Sequence, residues 1–201
     1  MSNQLRPALV LLIALTALTG LAYPLAMTGI AGAIFPAKAA GSLIERDGKV
    51  VGSSLIGQSF TSDRYFQGRP SATSAADPAD ATKTVPEPYN AANSSGSNFG
   101  PSSAALAERV KADLAARQAE NPGKSVPVDL VTTSGSGLDP DVSPEAALFQ
   151  VPRVAKARNL SEDQVRILVD SQVQDRLLGL LGEPRVNVLA LNLALDNLGS
   201  K

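Results

Sequence analysis

From residue 8 to residue 35 the chain reads ALVLLIALTALTGLAYPLAMTGIAGAIF, without one charged side chain. Arg6 precedes this run and Lys38 follows it. A hydrocarbon core ~30 Å thick takes about 20 apolar helical residues. The run is therefore long enough to span, with tilt or a last turn in the interface. A buried core helix rarely stays uncharged for so long. Ala37-Lys38-Ala39 has the small-x-small form of a signal cleavage site. The apolar core of a signal is about 7–15 residues, however, which favours an uncleaved anchor.

The anchor divides the chain. Arg6 and the amino terminus lie on one side and Lys38 on the other, so the positive-inside rule gives only a slight bias. It predicts a short cytoplasmic tail over residues 1–7, a transmembrane helix over 8–35 and an extracytoplasmic domain over 36–201. Thr16, Gly20 and Pro24 recur every fourth residue, with Ala22 and Ala26 beside them. Small residues at that spacing let helices approach closely in lipid, which makes this a candidate docking face. They are also common in membrane helices at large. Pro24 lacks a backbone donor and predicts a kink.

Composition narrows the chemistry open to the rest. There is no cysteine and no histidine. That removes Ser-His-Asp and Cys-His catalysis and the usual zinc sites. A formal charge of -1 leaves no electrostatic footprint for a nucleic acid.

Asp47-Gly48, between short apolar stretches, predicts a β-hairpin turn. Leu55-Ile56 predicts the start of a further strand. Residues 71–103 are rich in Ser, Ala, Pro, Asn and Gly, and read as a long polar loop within the domain. Ser102-Ser103 opens a helix with Leu106, Val110 and Leu114 on one face, stopped by Asn121-Pro122-Gly123. The β-branched stretch 126–133 predicts a strand. Ser143-Pro144-Glu145 is a helix start, and Pro152 predicts a break or restart of that helix. Ser161 and Gln164 form a capping box, with Leu160 and Val165 as a hydrophobic staple. Val165, Leu168, Val169, Gln172, Val173 and Leu177 predict the buried face of that helix. Residues 186–191 predict a strand and 193–198 a short terminal helix. The fold class is thus a single N-terminal transmembrane helix followed by an α+β extracytoplasmic domain large enough for one core.

The stretch 129–144, DLVTTSGSGLDPDVSP, carries the densest concentration of special residues. Gly135-Ser136-Gly137 starts like a dinucleotide fingerprint, but Pro140 stands where the third glycine belongs. Asn121 to Ser125 ends like a P-loop, but Gln118 replaces its first glycine and a helix precedes it. Asp139-Pro140-Asp141 is acidic, yet the rest of a calcium loop is missing. Ser134 or Ser136 with Lys124 or Lys156 has the residue types of a Ser-Lys dyad, and no spacing selects a pair. The plain reading is a shaped surface loop, turned by Gly135 and Gly137 and closed by local bonds from Asp139 to Ser143.

Several longer stretches carry a resemblance. They are Arg6-Pro7, TGLAYPL at 19–25, GSSLIGQSF at 52–60, YFQGRPSA at 65–72 and YNAANSSGSNFGP at 89–101. The loop itself follows, extended to Ala147, then QVPRVAKAR at 150–158 and GEPRVNVLALNLAL at 182–195. In that order they resemble the C subunit of Kdp-type high-affinity potassium-transporting ATPases. The resemblance implies two partners in one pump, a channel-like potassium-binding subunit and a P-type ATPase subunit. It implies a place in the plasma (inner) membrane and a role in assembly. It also implies a catalytic chaperone that raises the ATP affinity of the ATPase subunit. The P-type motif Asp-Lys-Thr-Gly-Thr is absent, so a non-catalytic subunit is expected, with no cofactor bound tightly and ATP met through or with the ATPase subunit. Gln150, Arg153, Gly135 and Gly137 are the positions at which nucleotide contact would be sought. Tyr65, Phe66, Arg69, Tyr89 and Asn90 are candidate docking side chains, since aromatics and arginine carry interface energy. A free-standing anchored binding domain or Ser-Lys hydrolase is the alternative.

Overall fold

The computed structural model describes residues 2–198. They form two compact units that divide between Val51 and Gly52.

In the first unit, α1 (Leu5–Ala17), a π-helical turn (Leu18–Ala22) and α2 (Tyr23–Ile34) run on as one helix. This 30-residue helix, Leu5–Ile34, has a mean hydropathy of 2.1 and is long and apolar enough to cross a membrane. Pro24 has no N–H to donate. The ladder widens just before it: the Tyr23 N–H reaches back five residues to the Leu18 carbonyl. A π-turn is a common way to absorb such an irregularity. Phe35 leaves the helix at φ -130° and ψ 58°, because the ring of Pro36 disfavours helical geometry in the residue before it. Pro36 then opens α3 (Pro36–Ala39). A hairpin of β1 (Leu43–Arg46) and β2 (Lys49–Ser53) follows. Asp47 and Gly48 at its tip have φ of 52° and 73°, as the Asp-Gly pair predicts.

The second unit is built in chain order from β3 (Ser74–Ala76), β4 (Thr84–Pro86), α4 (Ala104–Glu120), β5 (Asp141–Val142) and α5 (Pro144–Arg158). It continues through α6 (Glu162–Ser171), β6 (Val173–Gln174), β7 (Arg185–Asn187) and α7 (Val188–Leu198). Strands β5, β7 and β6 form an antiparallel sheet in that order, with Val186 paired to both Val142 and Val173. Its core is Val151, Val154 and Ala155 of α5, Val165 and Val169 of α6, and Leu191 and Leu195 of α7, joined by Phe66, Leu130 and Val186. The α+β layout after one long apolar helix is as expected.

Local signals for helix starts are realised. The Ser103, Ser143 and Ser161 hydroxyls accept from Leu106, Ala146 and Gln164 N–H groups, and the capping box at Ser161 is complete. Helix α4 has no fully buried residue. Leu106, Val110 and Leu114 are half-buried, on a face shared with Arg109 and Arg117.

Five expectations fail. Residues 126–133 are not a strand. Pro127 opens a 3-10 turn (Val128–Leu130), and the Asp129 carboxylate accepts from the Ser143 N–H at 2.7 Å. β-Branched propensity yields here to a side chain that fastens the chain to the next helix. Leu55-Ile56 forms only a bridge between Ser53 and Ile56. Strand β7 stops at Asn187, whose Oδ1 accepts from the Ala190 N–H at 3.0 Å and caps α7, so the helix begins at Val188. Pro152 sits inside α5 without ending it; its missing N–H leaves one helix hydrogen bond unmade, and the burial of Val151, Val154 and Ala155 around it outweighs that loss. Helix α6 ends at Ser171, so Gln172 is its C-cap, Val173 belongs to β6 and Leu177 lies beyond both and is exposed, and none of the three is on the buried face of that helix. Residues 71–103 also contain a small antiparallel sheet, Ser74–Ala76 against Thr84–Pro86.

Candidate functional site

The loop 129–144 folds on its own side chains. The Ser134 hydroxyl accepts from the Gly137 N–H at 2.9 Å, and Ser136 from the Leu138 N–H at 3.1 Å. The Asp139 carboxylate accepts from the Asp141 N–H at 3.1 Å. Two N–H groups that a phosphate would need are therefore already engaged by hydroxyls. No hydrogen bond or ion pair joins Ser134 or Ser136 to Lys124 or Lys156 among the described residues. Both lysines are exposed.

The polar segment 65–101 wraps this loop. The Ser95 N–H and Ser94 hydroxyl donate to the Ser136 carbonyl, both at 3.0 Å. The Ser71 hydroxyl donates to the Gly137 carbonyl at 2.7 Å. Gly137 holds φ 67°, and a Cβ there would lie 2.5 Å from Thr73 Cγ2 and 2.7 Å from the Ser95 carbonyl oxygen. Gly135 has open space around it. Only the second glycine is thus demanded by geometry.

Arg69 and Tyr89 brace the assembly. Arg69 Nη1 lies 3.0 Å from Asp139 Oδ2, and its guanidinium also donates to the Thr132 and Thr133 carbonyls. The Tyr89 hydroxyl donates to the Arg69 carbonyl at 2.7 Å, and the Tyr89 N–H to Ser71 Oγ at 3.0 Å. Gly57 and Gly68 leave room for the Tyr89 ring; a Cβ at Gly57 would lie 2.5 Å from its Cε1. Burial raises the Tyr89 phenol to about 12, with the Asp139 charge acting in the same direction. The Asn90 amide donates to the Ser74 carbonyl at 2.9 Å.

Gln150 and Arg153 form a second network on α5. Gln150 is almost fully buried. Its amide accepts from the Gln67 N–H at 2.9 Å and donates to the Gln67 carbonyl at 3.0 Å, in the manner of a strand pair. Arg153 Nη2 donates to Gln150 Oε1 at 2.7 Å, Nε lies 3.2 Å from Glu120 Oε2, and Nη1 donates to the Asp63 and Tyr65 carbonyls. Burial lowers the Arg153 pKa while the Glu120 charge opposes that shift. Among the described residues no hydrogen bond links this pair to Gly135 or Gly137.

The remaining candidates separate by exposure. Phe66 is fully buried, its backbone held by both ends of the Asn192 amide at 2.8 and 2.9 Å. Its ring belongs to the core. Tyr65 is half-buried: its hydroxyl donates to Asp196 at 3.3 Å and the Arg158 guanidinium stacks 4.7 Å from its ring centroid. Thr16, Gly20 and Pro24 are all exposed on the apolar helix. The sequence reading missed Gln67, Ser71, Thr73 and Asn192. Asn192 had a signal, a lone amide in the apolar run VLALNLAL.

An open cleft of about 550 Å³ lies beside the loop, with Asp139, Asp141, Glu183, Arg69 and Arg185 among its lining. Burial raises the Asp141 pKa, and the Arg185 charge opposes it. Among the described residues no group of three or more acidic side chains is placed to hold a metal ion.

The chain as a whole can be compared with known proteins. It is 80% identical over all 201 residues, and over the full length of its relative, to a potassium-transporting ATPase KdpC subunit of Methylorubrum extorquens. It is 75% identical over the same span to one of Methylobacterium nodulans, and 72% to one of Bradyrhizobium diazoefficiens. Residues 5–197 match the family described as KdpC, the c chain of K+-transporting ATPases. A match that takes in the apolar helix, the braced loop and the α5 network together leaves one assignment, and the chain belongs to the KdpC family.

Proposed function

We propose that the chain is the non-catalytic accessory subunit of an ATP-driven, high-affinity potassium uptake pump. The observation that carries this reading is 80% identity over all 201 residues to a KdpC subunit, with the family match running from residue 5 to 197. The geometry supports it: the loop serines, the candidate nucleophiles of the alternative hydrolase, are spent on loop closure.

In this reading the helix Leu5–Ile34 crosses the plasma membrane with residues 1–7 cytoplasmic and residues 36–201 outside. The partners are a channel-like potassium-binding subunit and a P-type ATPase subunit. The helix face of Thr16, Gly20 and Pro24 meets a partner helix, and Tyr65, Arg69, Tyr89 and Asn90 shape a docking surface outside. The chain is needed for assembly and raises the ATP affinity of the ATPase subunit. Because domain and ATP then lie on opposite faces of the membrane, the effect on ATP is indirect, by favouring one pump conformation. Gln150, Arg153 and Gly137 serve the fold of the domain, and direct nucleotide contact through them or Gly135 requires the opposite topology.

The test is mild-detergent affinity purification from potassium-starved cells with mass spectrometry. Stoichiometric recovery of both partner subunits is expected, Gly20→Leu should lower it, and pump stripped of the chain after assembly should show a higher KM for ATP. Recovery of the chain alone, folded and stable, overturns the reading.

A further inference from the structure

Helix α4 is fastened to its domain unlike the helices after it. Helices α5, α6 and α7 all bury side chains, seven of them on α5, and α4 buries none. Of the seven α4 residues that are half-buried, four are charged: Arg109, Asp113, Arg117 and Glu120. Leu106, Val110 and Leu114 are its apolar footing. The helix packs on the turn Val128–Leu130. Three open clefts border it, of about 420, 370 and 620 Å³, lined in part by Arg109, Ala116 and Ala119 in turn.

The attachments are polar and gathered at one end. Arg117 Nη1 donates to Gln67 Oε1 at 2.8 Å, Glu120 Oε2 lies 3.2 Å from Arg153 Nε, and the Asn121 amide donates to the Phe149 carbonyl at 3.0 Å. Nearer the amino-terminal end the tie is a long one, from Arg109 Nη1 to the Val131 carbonyl at 3.4 Å. The same guanidinium is imperfectly seated, for its Nε is buried without a hydrogen-bond partner. Before the helix, residues 98–102 are all exposed.

Local opening costs least where buried apolar contacts are few. A buried donor left without an acceptor weakens the closed arrangement further. Once detached, a helix of this length is marginal in water, so release from the domain and loss of the helix are one event.

We infer that α4 is a latch. It opens from the domain as one unit, held at its Asn121 end, while α5, α6, α7 and the sheet stay folded. The closed latch is the state in which this chain favours one pump conformation. That role rests on the subunit reading above, in which an indirect effect on ATP needs an element with two arrangements. The opening itself does not depend on it.

Hydrogen exchange of the full-length chain in detergent, followed at single amides, tests the opening. Amides from Glu108 to Arg117 should exchange at one common rate, with one common dependence on low urea, and ~100-fold or more faster than those from Phe149 to Lys156. Gln67→Ala cuts one tie without altering α4 itself. It should speed exchange in α4 about tenfold and leave α5 unchanged. In the assembled pump the same variant should raise the KM for ATP toward that of pump stripped of the chain, with recovery of the partners unchanged. Protection in α4 equal to that in α5, or rates graded inward from its ends as in simple fraying, overturns the latch. An unaltered KM with Gln67→Ala, while its α4 exchange quickens, overturns the role in the pump. Wild type run in parallel separates the readings: if it recovers no partners, the subunit reading fails, and the exchange rates still decide the opening.

Discussion

Arg69 Nη1 lies 3.0 Å from Asp139 Oδ2, and this pair joins the polar segment 65–101 to the loop 129–144. The arginine does more than neutralise. Its fork also satisfies the Thr132 and Thr133 carbonyls, which no strand partner serves. Arg69→Ala should therefore destabilise the domain by about 2 kcal/mol, more than an exposed pair contributes, because it strands a carboxylate and two carbonyls together. Arg69→Lys should recover little of this, since a point charge cannot replace the fork. Thermal melts of the two variants beside wild type measure both effects, and equal melting temperatures for all three would show the brace to be idle.

The two glycines of the loop should behave differently. Gly137→Ala forces a Cβ into φ 67° and into Thr73 and the Ser95 carbonyl. A loss of about 2 kcal/mol or more is expected. Gly135→Ala meets open space and should stay within ~0.5 kcal/mol of wild type. A shared phosphate-cradling role would instead make both substitutions raise the KM of the pump for ATP with little change in melting temperature.

Tyr89 supplies a pH signature. Its phenol is held protonated up to about 12 by burial. The folded state therefore binds a proton that the unfolded chain releases near its ordinary value of about 10. The stability this contributes is fully present below pH ~10 and is lost as pH rises through about 12, some 2–3 kcal/mol across the window. A spectrophotometric titration of phenolate should show one late component that vanishes in Tyr89→Phe. The same variant should also lose less stability between pH 10 and 12 than wild type does. A titration curve unaltered by that substitution would refute the assignment.

How far the sequence could be read depended on the range of the interaction that decides each element. Helix starts are set within four residues, so Ser103, Ser143 and Ser161 announced theirs. Asp47-Gly48 likewise fixed its turn by two backbone angles. Asn187 had a cap signal of the same kind, masked by the β-branched and aliphatic residues around it. The stretch 126–133 could not be read, because a carboxylate in it bonds an N–H fourteen residues on. Among the proposed site residues, Gln150 looked like a ligand-binding amide, and its partner is the backbone of Gln67, 83 positions away.

By itself the sequence determined that an apolar helix leads the chain, that an α+β domain follows, and which family the whole belongs to. Uncharged length, caps, turn pairs and long ordered motifs are all local or linear properties. Only the tertiary structure decided that Phe66 faces the core and not a partner, that Gly137 is required and Gly135 is not, and that α4 buries no side chain in full. Burial and backbone strain arise from what distant segments bring to a residue, and no window of sequence contains them.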